Sequence, residues 1–121
     1  MNAIIAQIFT VATLAVILTK TAPILLAATG GALTQMGNIL NIGLEGMMLV
    51  GAFAAIAVGA VTNPFVGVLG AIAAALILAL LFALATLRFK ADFIVVGIGI
   101  NLLAAGITVL LLTVLYGNAG V

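Results

Sequence analysis

Long apolar runs separated by short polar or glycine-rich breaks occupy almost the whole chain. Five runs can be distinguished, at residues 3–19, 22–36, 44–61, 64–87 and 93–116. A helix needs about 20 apolar residues to cross a hydrocarbon core of about 30 Å. Barrel strands would instead alternate in polarity over about ten residues. The pattern therefore predicts an all-α fold, a polytopic bundle of transmembrane helices.

One of the five segments is predicted to be short or broken. Residues 22–36 start with Pro23, which is tolerated in a first helical turn, and contain the pair Gly30 and Gly31, which weakens a helix. We treat residues 1–121 as a single transmembrane region with about five hydrophobic segments.

Two breaks in the pattern carry turn signals. The stretch GNILNIG at residues 37–43 holds two glycines and two asparagines, which favour turns and left-handed conformations and so end a helix. It nevertheless lies within membrane-compatible sequence. The second break is Thr62-Asn63-Pro64, whose proline can begin the next helix.

Composition supports a membrane protein and excludes several functions. Hydrophobic residues make up 68% of the chain and charged residues 4%, whereas a soluble domain carries about a quarter charged residues. A net charge of +1 provides no basic stripe, so nucleic acid is not an expected partner. Without cysteine or histidine there are no disulfides, thiol chemistry, zinc clusters or imidazole catalysis. We expect no metal and no cofactor.

The amino-terminal run is interpreted as a retained helix. A cleaved signal peptide is the alternative, but the run lacks a basic region before it, and Lys20 lies on its wrong side.

Two clustered cations indicate the orientation. Arg88 and Lys90 flank Phe89 in a short loop, and cationic loops stay on the cytoplasmic side. Alternating the five segments from this loop puts the amino terminus inside and Lys20 outside. If residues 22–36 and the glycine-rich turn form a re-entrant loop, only the side of the amino terminus changes.

Small residues at four-residue spacing predict two packing faces. They are Gly51, Ala55 and Gly59 in the third segment, and Gly67, Ala71 and Ala75 in the fourth. Small side chains let membrane helices approach closely. Bundle assembly accounts for these faces without any further function.

Glu45 follows the glycine-rich break, and an unpaired carboxylate at membrane depth costs about 2.5 kcal/mol or more. It is either an interfacial residue at a helix amino end, favoured by the backbone dipoles, or an anchor for a broken helix beside a central pathway. Both interpretations stay open. Glu45 and Asp92 do not form a paired acid and base, so a membrane enzyme is not expected.

Asn101 lies inside the fifth segment with Gly97, Ala104 and Thr108 on one helical face. An interhelical hydrogen bond, typically worth about 0.6 kcal/mol, is the simpler interpretation. Contact with a polar solute is the alternative.

The run GNILNIGLEGMMLVGAF at residues 37–53 resembles the signature of permease subunits of binding-protein-dependent ABC importers, in the nucleoside and simple-sugar branch. Further pieces occur in that family's order: APILLAA at 22–28, Asn63-Pro64, Lys90-Ala91-Asp92 and GINLLA at 99–104. Related ribose and branched-chain amino-acid permeases differ at the motif, so residues 41–46 favour the nucleoside-like branch.

The resemblance implies a multi-pass protein of the inner cell membrane that does no covalent chemistry. The implied partners are a second permease subunit, cytoplasmic ATPase subunits and an extracytoplasmic solute-binding protein, within a lipid bilayer. A broken helix near the midplane is tolerated only beside a cavity, where alternating access would follow from rocking of helix bundles, by analogy with secondary transporters. The predicted pathway residues are Asn38, Asn41, Glu45 and Asn101.

The chain departs from the family in length. It ends near the first third to half of a usual permease, which a truncated chain, a split gene or a partial gene product would explain. The competing hypothesis is a small structural, assembly or pore-forming membrane protein that oligomerises through its glycine faces without ATP. The sequence does not identify the solute or the subunit stoichiometry.

Overall fold

The computed structural model describes residues 1–117, and this part of the chain is helical with short connections and no strand. The helices are α1 (Asn2–Ile8), α2 (Val11–Met36), α3 (Leu44–Val61), α4 (Pro64–Ala83) and α5 (Phe93–Tyr116), with a π-helical turn at Leu84–Arg88 continuing α4. The predicted all-α fold is confirmed. Gly117 ends α5 in a left-handed conformation.

The expected break at Lys20 is wrong, because α2 runs through it as one helix of 26 residues. Lysine is a good helix former, and Pro23 removes only the amide that would bond to the Thr19 carbonyl. The chain instead breaks before Val11, where the Thr10 hydroxyl accepts a hydrogen bond from the Thr13 amide at 3.3 Å. Lys20 therefore lies within a helix and not in an external loop.

Four helical stretches are long and apolar enough to cross a membrane: Val11–Met36, Leu44–Val61, Pro64–Arg88 and Phe93–Tyr116. Most large apolar side chains on them are exposed, as expected where lipid or further helices cover a protein. The molecule is a multi-pass membrane protein.

The predicted faces of α3 and α4 pack against each other. A Cβ atom added to Gly67 would lie 2.7 Å from the Ala55 carbonyl oxygen and 3.0 Å from the Gly59 Cα. One added to Gly51 would meet the Ala71 carbonyl oxygen at 3.6 Å. The two backbones thus touch along the small residues, which confirms the packing prediction.

A short turn joins α3 to α4. The Asn63 side chain accepts a hydrogen bond from the Val66 amide at 3.0 Å, and Pro64 occupies the first turn of α4. This is the turn that the sequence predicts at Thr62-Asn63-Pro64. It aligns the two helices antiparallel.

The other end of α4 widens into the π-helical turn. The Phe89 amide donates to the Leu84 carbonyl at 3.2 Å, and the buried Thr86 hydroxyl donates to the Phe82 carbonyl at 2.8 Å. Lys90 follows with a φ of 52°, and Asp92 then caps α5 by accepting hydrogen bonds from two of its first amides. Arg88 and Lys90 thereby mark one end of the bundle.

The buried core lies where α3, α4 and α5 meet. It consists of Met47, Leu78, Phe82, Ile100 and Ala104. By contrast, α2 contains no buried residue. The helices α3, α4 and α5 therefore form a compact unit.

Candidate functional site

The glycine-rich break begins with an ordered helix terminus. The Asn38 amide donates to the Gln35 carbonyl at 2.9 Å and the Ile39 amide to the Thr34 carbonyl at 3.1 Å. This pair of bonds is a Schellman motif, which places one residue in the left-handed region. That residue is Asn38, with a φ of 60° and an exposed side chain.

Asn41 shapes the other end of the break. Its Oδ1 accepts a hydrogen bond from the Gly43 amide at 3.0 Å, which is an Asx turn. Its Nδ2 contacts the Met47 sulfur at 3.8 Å. Asn41 is half-buried and directs the chain from the non-helical residues 39 and 40 into α3.

Asn101 holds the start of α3 from the neighbouring helix. Its Oδ1 accepts a hydrogen bond from the Gly46 amide at 2.7 Å, and its Nδ2 donates to the Ile42 carbonyl at 3.1 Å. Gly43 stands at the cap position of α3 and has no side chain to do this. The interhelical hydrogen bond expected for Asn101 is present, but its partners are backbone groups.

Two glycines allow this close contact. A Cβ atom on Gly97 would lie 2.8 Å from the Ile42 Cβ and 3.0 Å from the Gly43 amide nitrogen. One on Gly46 would lie 2.9 Å from the Asn101 Oδ1 and 3.0 Å from the Ala104 Cβ. The polar and small stripe predicted on α5 is therefore the surface against which the break packs.

The packing of α3 on α4 places the start of α3 inside the bundle. Gly59 lies beside Gly67 and Gly51 beside Ala71, and continuing this antiparallel register brings Leu44 close to residue 81. At about 1.5 Å per residue, the remainder of α4 to Arg88 extends about 10 Å beyond α3.

The packing of α3 on α5 gives the same depth independently. Gly46 is bonded to Asn101, and the helical rise over residues 93–101 is about 12 Å. The end of the break at Ile42 and Gly43 packs on Gly97 and so lies about 6 Å along α5 from its start, whereas Gly46 lies about 12 Å from it.

The four predicted site residues occupy different positions around the break. Asn41 and Asn101 both bind the segment that leads into α3, Asn38 stands at its far end, and Glu45 lies exposed in the first turn of α3. In residues 1–117 no group of three His, Cys, Asp or Glu side chains is placed to hold a metal ion.

An apolar cleft of about 1010 Å³ opens beside the break. It lies between α2, α3 and α4, and its lining includes Pro23, Leu26, Met48, Ala52 and Ala75. The cleft exists because α2 packs loosely on the other helices.

Sequence reasoning missed the contacts of Gly46 and the structural role of Asn38. Gly46 had a signal in the sequence: it is a small residue near the start of α3, and α5 carries a stripe of small residues that it could face. The glycines and asparagines of the break predicted a left-handed residue within it, but they did not identify that residue as Asn38. The partner of Asn101 had no signal in the sequence, because it is a backbone group 55 residues away.

Comparison with known proteins places the chain in a family. The family model described as branched-chain amino acid transport system, permease component, matches residues 13–121. The guanosine ABC transporter permease protein NupQ of Bacillus subtilis is 38% identical over 106 residues, which covers 81% of this chain and 33% of that protein. The nucleoside ABC transporter permease protein NupC of Lactococcus lactis is 37% identical over 102 residues, covering 78% and 32%.

A third relative carries a sugar-related name. The putative glucose ABC transporter permease protein TsgC13 of Haloferax volcanii is 37% identical over 86 residues, covering 70% of this chain and 26% of that protein. No solved structure matches significantly. The chain spans about a third of the length of the relatives it matches. It belongs to the family of permease components of branched-chain amino acid transport systems, and it is a multi-pass protein of the cell membrane.

Proposed function

We propose that this chain is the amino-terminal portion of a permease subunit of an ABC importer and forms part of the pathway for a nucleoside or a simple sugar. The single observation that carries the proposal is the ordered helix break, whose end at Ile42 and Gly43 packs on Gly97 of α5 and is held by Asn101. Non-helical backbone at membrane depth is tolerated only where it is buried in protein or lines a cavity. Residues 39–41 of the break are non-helical, and Leu40 is 48% exposed.

The chemistry of the break suits a hydroxylated solute. The side chain of Asn38 is exposed beside the non-helical residues, and Asn41 lies at their other end. Amide side chains and non-helical backbone groups can exchange hydrogen bonds with sugar hydroxyls. Asn101 holds this segment from α5, and both polar atoms of its side chain are hydrogen-bonded to the backbone of Ile42 and Gly46.

The names of the relatives support the solute class. NupQ is named for guanosine, NupC for nucleosides and TsgC13 for glucose. We propose that this chain works with a second permease subunit, cytoplasmic ATPase subunits and an extracytoplasmic solute-binding protein. In that arrangement ATP is hydrolysed by the ATPase subunits, and the permease provides the pathway without catalysis.

The test is uptake of labelled nucleoside by cells carrying the complete importer, normalised to the permease in the membrane. Asn41→Ala is expected to reduce uptake with normal membrane abundance, and Glu45→Leu to reduce it more. Asn2→Ala, in the short α1, serves as the control and is expected to be neutral. Uptake at the wild-type level from both Asn41→Ala and Glu45→Leu would contradict the assignment of the break to the pathway.

The competing structural or pore-forming role needs glycine faces that are free for oligomerisation. The faces at Gly51, Gly59 and Gly67 are occupied, because they join α3 to α4 within the chain. This observation favours the transport permease.

A further inference from the structure

The apolar cleft between α2, α3 and α4 offers almost no polar group to a ligand. Among its lining residues, all within the described residues 1–117, Thr19 alone has a hydroxyl, and this donates to the Ala15 carbonyl of its own helix at 2.7 Å. A polar ligand is held by several convergent polar groups, which this lining does not supply. An occupant of the cleft is therefore apolar over most of its length.

Small residues line much of the cleft. They are Gly51, Ala52 and Ala55 on α3, and Ala71, Ala75 and Ala79 on α4. The lining on α3 starts at Leu44 and ends at Ala55, which corresponds to about 16 Å along the helix. The cleft is thus an elongated apolar groove of about 1010 Å³, a shape that suits a methylene chain lying along α3.

Lys20 stands at one end of this groove. At the other end α2 meets α3, because a Cβ atom added to Gly31 would lie 3.0 Å from the Leu44 Cδ1. Continuing this antiparallel register sets Lys20 level with Ala55. Two helical turns separate Lys20 from Ala27, which lines the cleft. The exposed side chain of Lys20 therefore projects from the edge of the cleft-lining face of α2.

The chain has two acidic side chains, and neither lies at the level of Lys20. Glu45 follows Leu44 at the opposite end of the cleft, about 15 Å along α3 from Ala55. Asp92 caps α5, where its Oδ1 accepts hydrogen bonds from two amides. An anionic side chain or ligand that meets Lys20 must therefore come from outside the chain.

The end of the groove at Lys20 points toward a membrane surface. The turn at Thr62-Asn63-Pro64 joins two consecutive candidate spans, so it lies where they leave the bilayer. This turn begins about 10 Å beyond Ala55 along α3. A lysine stem can lie on apolar surface while its ammonium reaches toward water and headgroups. The apolar groove and the cation at its end thus match the two parts of an anionic lipid.

We infer that the apolar cleft binds an anionic phospholipid, with one acyl chain along α3 and the phosphate at Lys20. A packed helix would also cover the groove, but it would need an acidic side chain at one particular level to meet Lys20. An anionic lipid carries the phosphate and the methylene chain in the same molecule, and lysines near the membrane surface attract such lipids. The inference rests on the chain being a membrane protein and not on the proposed solute pathway.

Photolabelling with lipid analogues tests the occupant. The assembled protein that contains the chain is placed in nanodiscs of phosphatidylcholine with a trace of probe, either phosphatidylglycerol or phosphatidylcholine with a diazirine in one acyl chain. Adducts are mapped by mass spectrometry. With the phosphatidylglycerol probe, adducts on Ala52 and Ala55 should exceed those on Leu102, which is 70% exposed on α5. With the phosphatidylcholine probe this excess should disappear.

Two other outcomes would overturn the inference. Absence of adducts in the cleft with both probes would indicate that a helix covers it. Equal labelling of the cleft by the two probes would indicate an ordinary lipid-facing surface without a bound anion.

Charge substitutions test the contact with the phosphate. Lys20→Gln should lower the phosphatidylglycerol adducts in the cleft about fivefold, because one cation near the headgroup is lost. Lys20→Arg keeps the charge and should keep the adducts. Lys90→Gln, at the opposite end of the bundle, is the matched control and should leave them unchanged. Wild-type labelling of Lys20→Gln, or an equal loss in Lys90→Gln, would refute the contact with Lys20.

Filling the groove tests the position of the acyl chain. Ala52→Phe places a ring in the cleft and should lower the adducts on Ala55 while leaving those on Leu102 unchanged. Ala60→Phe is the matched control, since Ala60 is an exposed alanine of α3 outside the cleft lining. It should leave the adducts on Ala55 unchanged. Undiminished labelling of Ala55 in Ala52→Phe would contradict an acyl chain in the cleft.

Discussion

Asn101 accepts a hydrogen bond from the Gly46 amide at 2.7 Å, so α5 provides the cap that α3 lacks. The bond joins residues 55 positions apart in the sequence. Together with the bond from Nδ2 to the Ile42 carbonyl, it fixes the position at which α3 begins after the break.

Replacing Asn101 with alanine should destabilise the bundle. The Gly46 amide and the Ile42 carbonyl would lose their partners, and each unsatisfied buried group costs about 1–3 kcal/mol. The measurement is the thermal unfolding midpoint in detergent. Asn63→Ala, which removes an exposed cap, serves as the control and should cost only about 1 kcal/mol. Equal unfolding midpoints for the two variants would contradict the conclusion that Asn101 of α5 caps α3.

Replacing Gly97 with alanine should displace the break from α5. The added Cβ would meet the Ile42 Cβ at 2.8 Å and the Gly43 nitrogen at 3.0 Å, and overpacking of this kind costs about 1–3 kcal/mol. Gly99→Ala on the same helix is the control, since its Cβ would have no neighbour within 4 Å. The control should be neutral or stabilising, because alanine favours helix by up to about 1 kcal/mol. Similar unfolding midpoints for both variants would show that the close approach is not maintained.

Asn38 allows the helix cap to be separated from contact with solute. Asn38→Gly should preserve stability, since glycine adopts the left-handed conformation freely. Asn38→Val should lose about 1–2 kcal/mol, because a branched side chain is strained at a φ of 60°. Stability and uptake are measured on both variants. Normal stability with reduced uptake for Asn38→Gly would assign the side chain to the pathway, whereas normal uptake would limit Asn38 to its role in the cap.

The turn that carries Arg88 and Lys90 should face the cytoplasm. A cysteine at Phe89, which is 72% exposed, should resist a membrane-impermeant thiol reagent in intact cells and react after permeabilisation. Because α2 is a single span, alternating the four spans back from this turn puts the amino terminus outside. A cysteine at Asn2 should therefore react in intact cells. Ready labelling at Phe89 in intact cells would reverse this topology.

Features that depend on nearby residues were predictable from the sequence. The break at 37–43 and the turn at Asn63-Pro64 follow from local conformational preferences, and the faces at Gly51 and Gly67 from simple periodicity.

Features that depend on tertiary contacts or on weak local preferences were not predictable. Lys20 interrupts the apolar pattern but not the helix, because charge alters hydropathy without altering helix propensity. The π-helical turn has no distinct composition. The backbone partners of Asn101 become apparent only when α5 lies beside the break.

The central claim, that the break lines a solute pathway inside the membrane, is tested most directly by accessibility at Asn38. A cysteine at this position in the complete importer should react with a water-soluble thiol reagent, and a saturating concentration of the transported nucleoside should slow the reaction. A cysteine at Leu102, which is 70% exposed on α5, is the control for a lipid- or protein-facing site and should react slowly with or without nucleoside. An unreactive cysteine at Asn38, or one that reacts at the same rate with and without nucleoside, would contradict the account.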